Sequence, residues 1–463
     1  MYYKSKKQFS PFIPEDVSLM KKPAFTPISR LPLLVMLIMT MISCHDDLDD
    51  PRFTDGIVKA GIYASMGEWY FWNDKMPSKV DFDAYTTYDD LLEALKYQEL
   101  DRWSYLTTPD AFDQAFTGQN IGHGFGWGLA EDGNLYLTFV YDDAPAGKDG
   151  WKRGWKITRV NDKPIDDYKT NTGYNFQLGP AESGISNTFT FELPDGTTTT
   201  RTNSKAAYQS NSLLHQSTID VNGKKTGYLV YNSFKATAGL KPTQSTEVEE
   251  AMNKLEEEGI SELIIDLRYN GGGSVRVAEQ LMNSIIPATA DGSIMYTDQH
   301  NRNKREMNEN VSFKKNGNLS LNRIFFITSG GSASASELTI NCLTPYMDVK
   351  LVGQNTYGKP VGAFPISDFN KHLKERNVEL VPITFSTANA NGTAAYFDGF
   401  PVDYEAIDGI SYDWGDPAEP RLAAALHYIE TGSFPALGRK QPLPPSWLMI
   451  DDFEGLEKEF PVY

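Results

Sequence analysis

With 463 residues, 40% hydrophobic and 12% aromatic, the chain can fill two or three apolar cores, which excludes a disordered or fibrous protein. Its 61 acidic against 43 basic residues give a formal charge of −18, which argues against nucleic acid or an anionic lipid surface as a partner, because both are polyanions. Two widely separated cysteines, Cys44 and Cys342, exclude a disulfide framework.

The first apolar run, "LPLLVMLIMTMIS", stops at Cys44 and is followed at once by "HDDLDD". Its apolar core is about a dozen residues, too short to span a bilayer and suited to the h-region of a signal peptide. The ending "MISC" resembles a bacterial lipoprotein signal, with Met41 where leucine is usual. That resemblance implies lipidation at Cys44, removal of residues 1–43, and a lipid-anchored protein of the cell envelope, facing the outer membrane or periplasm. Met20, followed by Lys21 and Lys22, makes a better signal start than Met1, so residues 1–19 read as a start-site overcall. Residues 44–54 then form an acidic tether.

Residues 55–113 have helical spacing. "DGIVKAGIYASMGEWYFWN" repeats apolar side chains every three or four positions, and "TYDDLLEALKYQ" opens on a threonine cap followed by acids. Two or three packed helices are expected, with Trp69, Tyr70, Phe71 and Trp72 as core residues.

From 114 to 210 the texture changes to short strands with glycine and Asp-Gly turns. "APAGKDGWKRGWKITRVNDKPIDDY" places an alternating strand, Trp155 to Val160, between turns at Arg153-Gly154 and Asn161-Asp162. This run resembles the PDZ fold, with Trp155 and Asp162 where that fold has Asp and Gly. A PDZ-like module implies recognition of an extended polypeptide added to a sheet edge.

Residues 211–435 read as α/β. "TGYLVYNSF" and "ELIIDLRYNGGG" are strands around a capped helix, "STEVEEAMNKLEEEG"; "VRVAEQLMNSII" is a further helix; "RIFFITSGGSASASELTINCL" repeats the order strand, glycine turn, helix. "DVKLVGQNTYGKPVG" adds another strand and turn, and residues 436–463 form a C-terminal tail. Such alternation predicts chemistry at the carboxyl ends of the strands.

"NGGG" at 270–273 is neither a dinucleotide fingerprint nor a P-loop, so no nucleotide cofactor is expected. Bare backbone there suits an oxyanion hole, as do the free N–H groups at a helix start in "GGSASASE". A serine hydroxyl needs a base to take its proton. None of the six histidines falls in a strand-turn motif of the α/β part, whereas Lys359 sits in the compact turn "TYGKP". A lysine serves as base when burial lowers its affinity for the proton.

"LIIDLRYNGGG", "TSGGSASASE" and "LVGQNTYGKP", in this order behind a PDZ-like module and a helical segment, resemble the C-terminal processing (tail-specific) serine proteases. The resemblance implies a ClpP/crotonase-like α/β protease core with an inserted PDZ-like β domain and an N-terminal helical segment. It implies Ser334 as nucleophile, Lys359 as general base, and oxyanion donors from Ala335 and from Gly272 or Gly273. It also implies unstructured or tail-presented polypeptides as substrates. Ser332 and Ser336 become capping and packing residues, and Asp266 and Arg268 hold the turn. Where some members carry an orienting Asp or Gln, this chain has Pro345 and Ala363, leaving the third catalytic residue open. Two alternatives stand beside this reading: a tricorn-like hydrolase with His123 as base, and a catalytically inactive peptide-binding lipoprotein. Asp398, Asp403 and Asp416 read as turn residues, and no metal site is expected.

Overall fold

The computed structural model describes residues 51–436, apart from 131, 171–172 and 240–241, together with 449–451. The lipidation and signal expectations at Cys44 and residues 1–43 lie outside the described residues.

Helix α1 (Pro51–Trp69) and helix α2 (Tyr88–Leu95) open the chain. Thr87 caps α2 by accepting the Asp90 N–H at 3.0 Å, while the Asp90 carboxylate accepts the Thr87 N–H in return. Val58, Ile62, Met66, Tyr70 and Trp72 pack with Leu91, Leu92 and Leu95 into one core, which also takes in Val361, Leu380 and Ile383 from much later in the chain. The aromatic cluster is therefore packing material, with Trp69 and Phe71 half-buried around Tyr70 and Trp72.

An antiparallel module follows. Its strands are β1 (Phe125–Ala130), β2 (Leu135–Val140), β3 (Lys156–Val160), β4 (Ser186–Glu192) and β5 (Thr198–Ser204). They lie in the order β5-β4-β3-β2-β1 around a separate aromatic-rich core of Phe125, Trp151, Phe189 and Phe191.

The remaining chain is mixed α/β. Its elements are β6 (Leu213–Val221), β7 (Lys224–Tyr231), α3 (Thr246–Glu258), β8 (Glu262–Asp266), α4 (Val275–Ile285), β9 (Ile294–His300), β10 (Glu309–Ser312) and β11 (Arg323–Thr328). There follow α5 (Ala335–Leu343), β12 (Asp348–Gly353), β13 (Val361–Ala363), β14 (Ile383–Asn389), β15 (Tyr404–Glu405) and α6 (Pro420–Thr431). One sheet runs β6-β7-β8-β11-β12-β15, parallel after the first pair; a second, antiparallel sheet runs β10-β9-β14-β13.

The central strands read as unbroken apolar runs because both faces are covered. Leu263 and Ile265 face the core under α3, α4 and α5, and Ile264 faces the core under α6; Ile324 and Phe326 divide from Phe325 and Ile327 in the same way. Ser245 caps α3, and Gly259 closes it in the left-handed conformation at φ 66°. The parallel strands β8, β11 and β12 deliver the glycine turn, the serine run and the lysine turn to the same end of the sheet. A last strand, β16 (Met449–Asp451), pairs with β1.

Candidate active site

After β11 the chain turns sharply into α5, and Ser334 sits at the turn with φ 56° and ψ −113°. That conformation is unfavourable for a side chain with a Cβ, so the surrounding contacts must hold it. The neighbouring turn supplies them. A Cβ on Gly272 (φ 114°) would lie 2.7 Å from Ser334 Cβ and 3.0 Å from the Ala335 nitrogen, and one on Gly273 (φ 127°) would lie 2.5 Å from the Phe234 carbonyl oxygen. Only glycine allows the two turns to close on each other.

The other serines stitch these turns together. Ser332 Oγ donates to the Leu267 carbonyl at 2.7 Å, Ser336 Oγ donates to the Asn270 carbonyl at 2.9 Å, and Ser329 Oγ donates to the Arg268 carbonyl. Their hydroxyls are committed to structure, in line with the packing roles expected for Ser332 and Ser336.

Glu337, three residues after Ser334 and fully buried, joins the serine turn to the lysine turn. Its Oε2 accepts the backbone N–H groups of Ser334 at 3.0 Å and Lys359 at 2.8 Å, while Oε1 accepts the Thr356 hydroxyl and the Gly358 N–H, each at 2.7 Å. Burial pushes the Glu337 carboxyl above its ordinary value, against these four hydrogen bonds, which favour the ionised form.

Behind the glycine turn lies a buried ionic network. Arg268 pairs with Asp266 at 2.6 Å, Asp408 at 2.8 Å and Glu419 at 2.9 Å. Arg153, from the antiparallel module, reaches the same Asp408 and donates to Tyr269 Oη at 2.7 Å. Burial alone would raise the Asp408 carboxyl, but the guanidinium groups of Arg153 and Arg268 hold it far below the usual carboxylate range. Asp266 and Arg268 thus hold the turn, as expected from the sequence.

Ser334 and the buried Lys359 line one cavity of about 440 Å3, with Gly273 beside them. Trp103, Phe112, Phe116, Phe364 and Phe385 make one part of its wall apolar. Glu279, Asp298 and Glu309 line another part, where burial and then the Glu309 and Glu279 charges push the Asp298 carboxyl up to about 7. A hydroxyl and an amine on the wall of one cavity, beside a glycine turn and a helix start, suit nucleophilic acyl transfer.

The remaining predicted residues fall as follows. Ala335 is the first residue of α5, where an N–H has no partner within its own helix. Of the two glycine candidates, Gly272 donates its N–H to Asn270 Oδ1 at 2.9 Å, and Gly273 is the one on the cavity wall. His123 is not on that wall: it is buried in the antiparallel module, its ring nitrogens 2.7 Å from Asn203 Oδ1 and 2.9 Å from Asn187 Oδ1. As the alternative base it is therefore misplaced. Ala363 lines the cavity without a polar group, so Glu337 is the carboxylate that reaches the lysine turn. Its signal was the acid three positions after Ser334, which reads equally as an ordinary helix cap. Asp416 accepts the N–H of Ala418, two residues on, as a turn residue does, whereas Asp403 accepts the N–H of Leu351 on β12, 52 positions earlier, and so ties two distant segments together rather than closing a turn. Among the described residues, no His, Cys, Asp and Glu gather in an arrangement that holds a metal.

Residues 225–370 match peptidase family S41, and residues 58–105 match the peptidase S41 N-terminal domain. The carboxy-terminal processing protease CtpB of Bacillus subtilis is 25% identical over 284 residues, 61% of this chain and 54% of that protein. The carboxyl-terminal-processing protease of a Synechocystis species is 32% identical over 149 residues, 32% of this chain and 31% of that protein. The chain thus spans about half, or less, of the length of these curated relatives. A solved structure from Bacteroides fragilis, described as an S41 protease, is similar with a TM-score of 0.64 at 23% identity, over 80% of this chain and 97% of that one. At that identity the likeness is one of fold.

Proposed function

We propose that this chain, a member of peptidase family S41, is a serine endopeptidase of the C-terminal processing type that cleaves unstructured or tail-presented polypeptides. The observation that carries the reading is the meeting of Ser334 and Lys359 on one cavity wall, with their two turns joined through Glu337.

In the proposed reaction, Ser334 Oγ attacks the scissile carbonyl carbon while the neutral Lys359 amine takes the hydroxyl proton. The N–H groups of Ala335 and Gly273 stabilise the oxyanion, each worth about 3 kcal/mol in such sites. Collapse of the tetrahedral intermediate releases the new amine terminus, which receives the proton from the Lys359 ammonium, and leaves an acyl-enzyme on Ser334. Water, deprotonated by the same amine, then attacks the ester carbonyl carbon, and the Lys359 ammonium returns the proton to Ser334 Oγ as the acid product leaves.

Two further parts of the reading concern delivery. The antiparallel module over β1–β5 acts as a PDZ-like platform that captures polypeptide tails, and lipidation of Cys44 anchors the protein in the cell envelope. The run ending "MISC" supports the anchor, and the antiparallel sheet of β1–β5 supports the platform. A fluorophosphonate probe tests the nucleophile directly. Wild type and His123→Gln label at Ser334, Lys359→Ala labels slowly, and Ser334→Ala does not label; an intact Ser334 that never labels sinks the hydrolase reading in favour of an inactive binding protein.

A further inference from the structure

The sheet of the antiparallel module ends at β1, and the strand laid against that edge is β16, from near the C-terminus of the chain. The pairing is antiparallel and short, matching Met449 with Ala130 and Asp451 with Leu129 across a register irregularity. β1 itself runs from Phe125 to Ala130, so most of its length continues past this contact. An edge strand offers a row of backbone N–H and C=O groups, the seat on which an extended peptide adds as a further strand. Beside that edge stand the half-buried Trp127 and Tyr174, whose rings meet edge to face at 6.1 Å, with Trp127 also 5.2 Å from Phe176. They give apolar surface next to the backbone row, which is what the side chains of an added strand need.

We propose that the chain's own segment 449–451 is a resident competitor on the edge of β1, restraining capture of the extended substrate tails that the PDZ-like platform takes up as an added strand. The inference rests on the endopeptidase reading above for the nature of the incoming chain. A three-residue contact is weak, yet as part of the same molecule it competes at a high effective concentration. If the resident strand occupies the edge about nine-tenths of the time, only the remaining tenth of the molecules accept a foreign peptide, and the apparent affinity is lowered about tenfold.

The test uses the full chain and its variant Met449→Pro/Asp451→Pro, which removes the backbone N–H at both paired positions. Two readouts are taken: binding of a dansyl-labelled unstructured decapeptide with a free C-terminus, and amide hydrogen exchange at Leu129, with Ala130, whose N–H donates to Asn134 O at 3.0 Å within the β1–β2 hairpin, as the internal control. The variant is expected to bind the decapeptide roughly three- to thirtyfold more tightly and to exchange faster at Leu129, with Ala130 unchanged. A synthetic peptide of residues 445–455 is expected to compete with the label. Deletion of residues 437–463 gives the same two readouts through an independent change. Unchanged exchange at Leu129 overturns the proposal because the strand never shielded the edge; faster exchange with unchanged affinity overturns it because the freed edge is not the seat. Neither readout involves turnover, so a protein that captures tails without cleaving them sinks the endopeptidase reading and leaves this one standing.

Discussion

The backbone N–H of Lys359 lies 2.8 Å from Glu337 Oε2, the same oxygen that accepts the backbone N–H of Ser334 at 3.0 Å. One buried carboxylate thus sets the spacing between the turn that carries the nucleophile and the turn that carries the base. Glu337→Gln keeps the shape but offers one acceptor oxygen and turns an NH2 group toward donors. We expect kcat to fall roughly 100-fold, as for other small misplacements of reacting groups, with KM changed by less than about threefold. Glu337→Ala leaves four donors without their acceptor and costs about 3 kcal/mol of stability. Full kcat in the glutamine variant contradicts the positioning role.

Gly272→Ala tests the contact between the glycine turn and the serine turn. The added methyl meets Ser334 Cβ at 2.7 Å on a backbone with φ 114°. Strain of about 1–3 kcal/mol is expected at such a position, together with a loss of fluorophosphonate labelling at Ser334. Thermal unfolding and labelling rate, measured together, separate a displaced serine from a globally weakened chain.

Asp298 gives a pH signature. Its carboxyl has an ordinary value of 3.8 and is pushed up to about 7 in the folded chain by burial and by Glu309 and Glu279, with Arg276 opposing. The folded state holds this proton more tightly than the unfolded state does. Its contribution is therefore fully present below about pH 4 and is lost as pH rises through 7, a loss of roughly 2–4 kcal/mol. Asp298→Asn is expected to raise the melting temperature relative to wild type at pH 8.5 and to leave it nearly unchanged at pH 4. An equal shift at both pH values counts against the buried, neutral carboxyl.

Arg153 links the antiparallel module to the site. It donates to Thr138 O at 2.8 Å within the module, and it reaches Tyr269 and Asp408 beyond it. Arg153→Met leaves Asp408 with one guanidinium partner fewer in a buried setting, and a loss of about 3 kcal/mol is expected in urea denaturation. Arg159→Met, on the exposed part of the following strand, changes stability by less than about 0.5 kcal/mol and serves as the control.

Much of this was legible because the physics was local. Runs such as Leu263–Ile265 and Phe325–Ile327 announce strands covered on both faces, and the glycines at 272 and 273 mark a turn where backbone approaches backbone. Ser334 and Lys359 were singled out by the strand-turn setting of each and by the family resemblance. The joining carboxylate was not legible, because Glu337 looks like any acid in the first turn of a helix until the lysine turn closes over it. The pairing of Arg153 with Asp408, 255 positions apart, depends on how the module docks. The burial of Asp298 was hidden for a similar reason: β9 acquires its inward-facing acid only when β10 and α4 cover it. His123, in "IGHGFG", is a core residue of the antiparallel module, its ring held between the side-chain amides of Asn187 and Asn203, a placement that only the folded module shows.

The Ser334–Lys359 pair is tested by cleavage of a panel of denatured proteins with wild type, Ser334→Ala and Lys359→Ala, every product terminus being mapped by mass spectrometry. Wild type is expected to generate new termini concentrated near substrate C-termini, and neither variant any above background. Undiminished cleavage by Ser334→Ala or by Lys359→Ala would rule out the Ser334–Lys359 pair as the source of proteolysis.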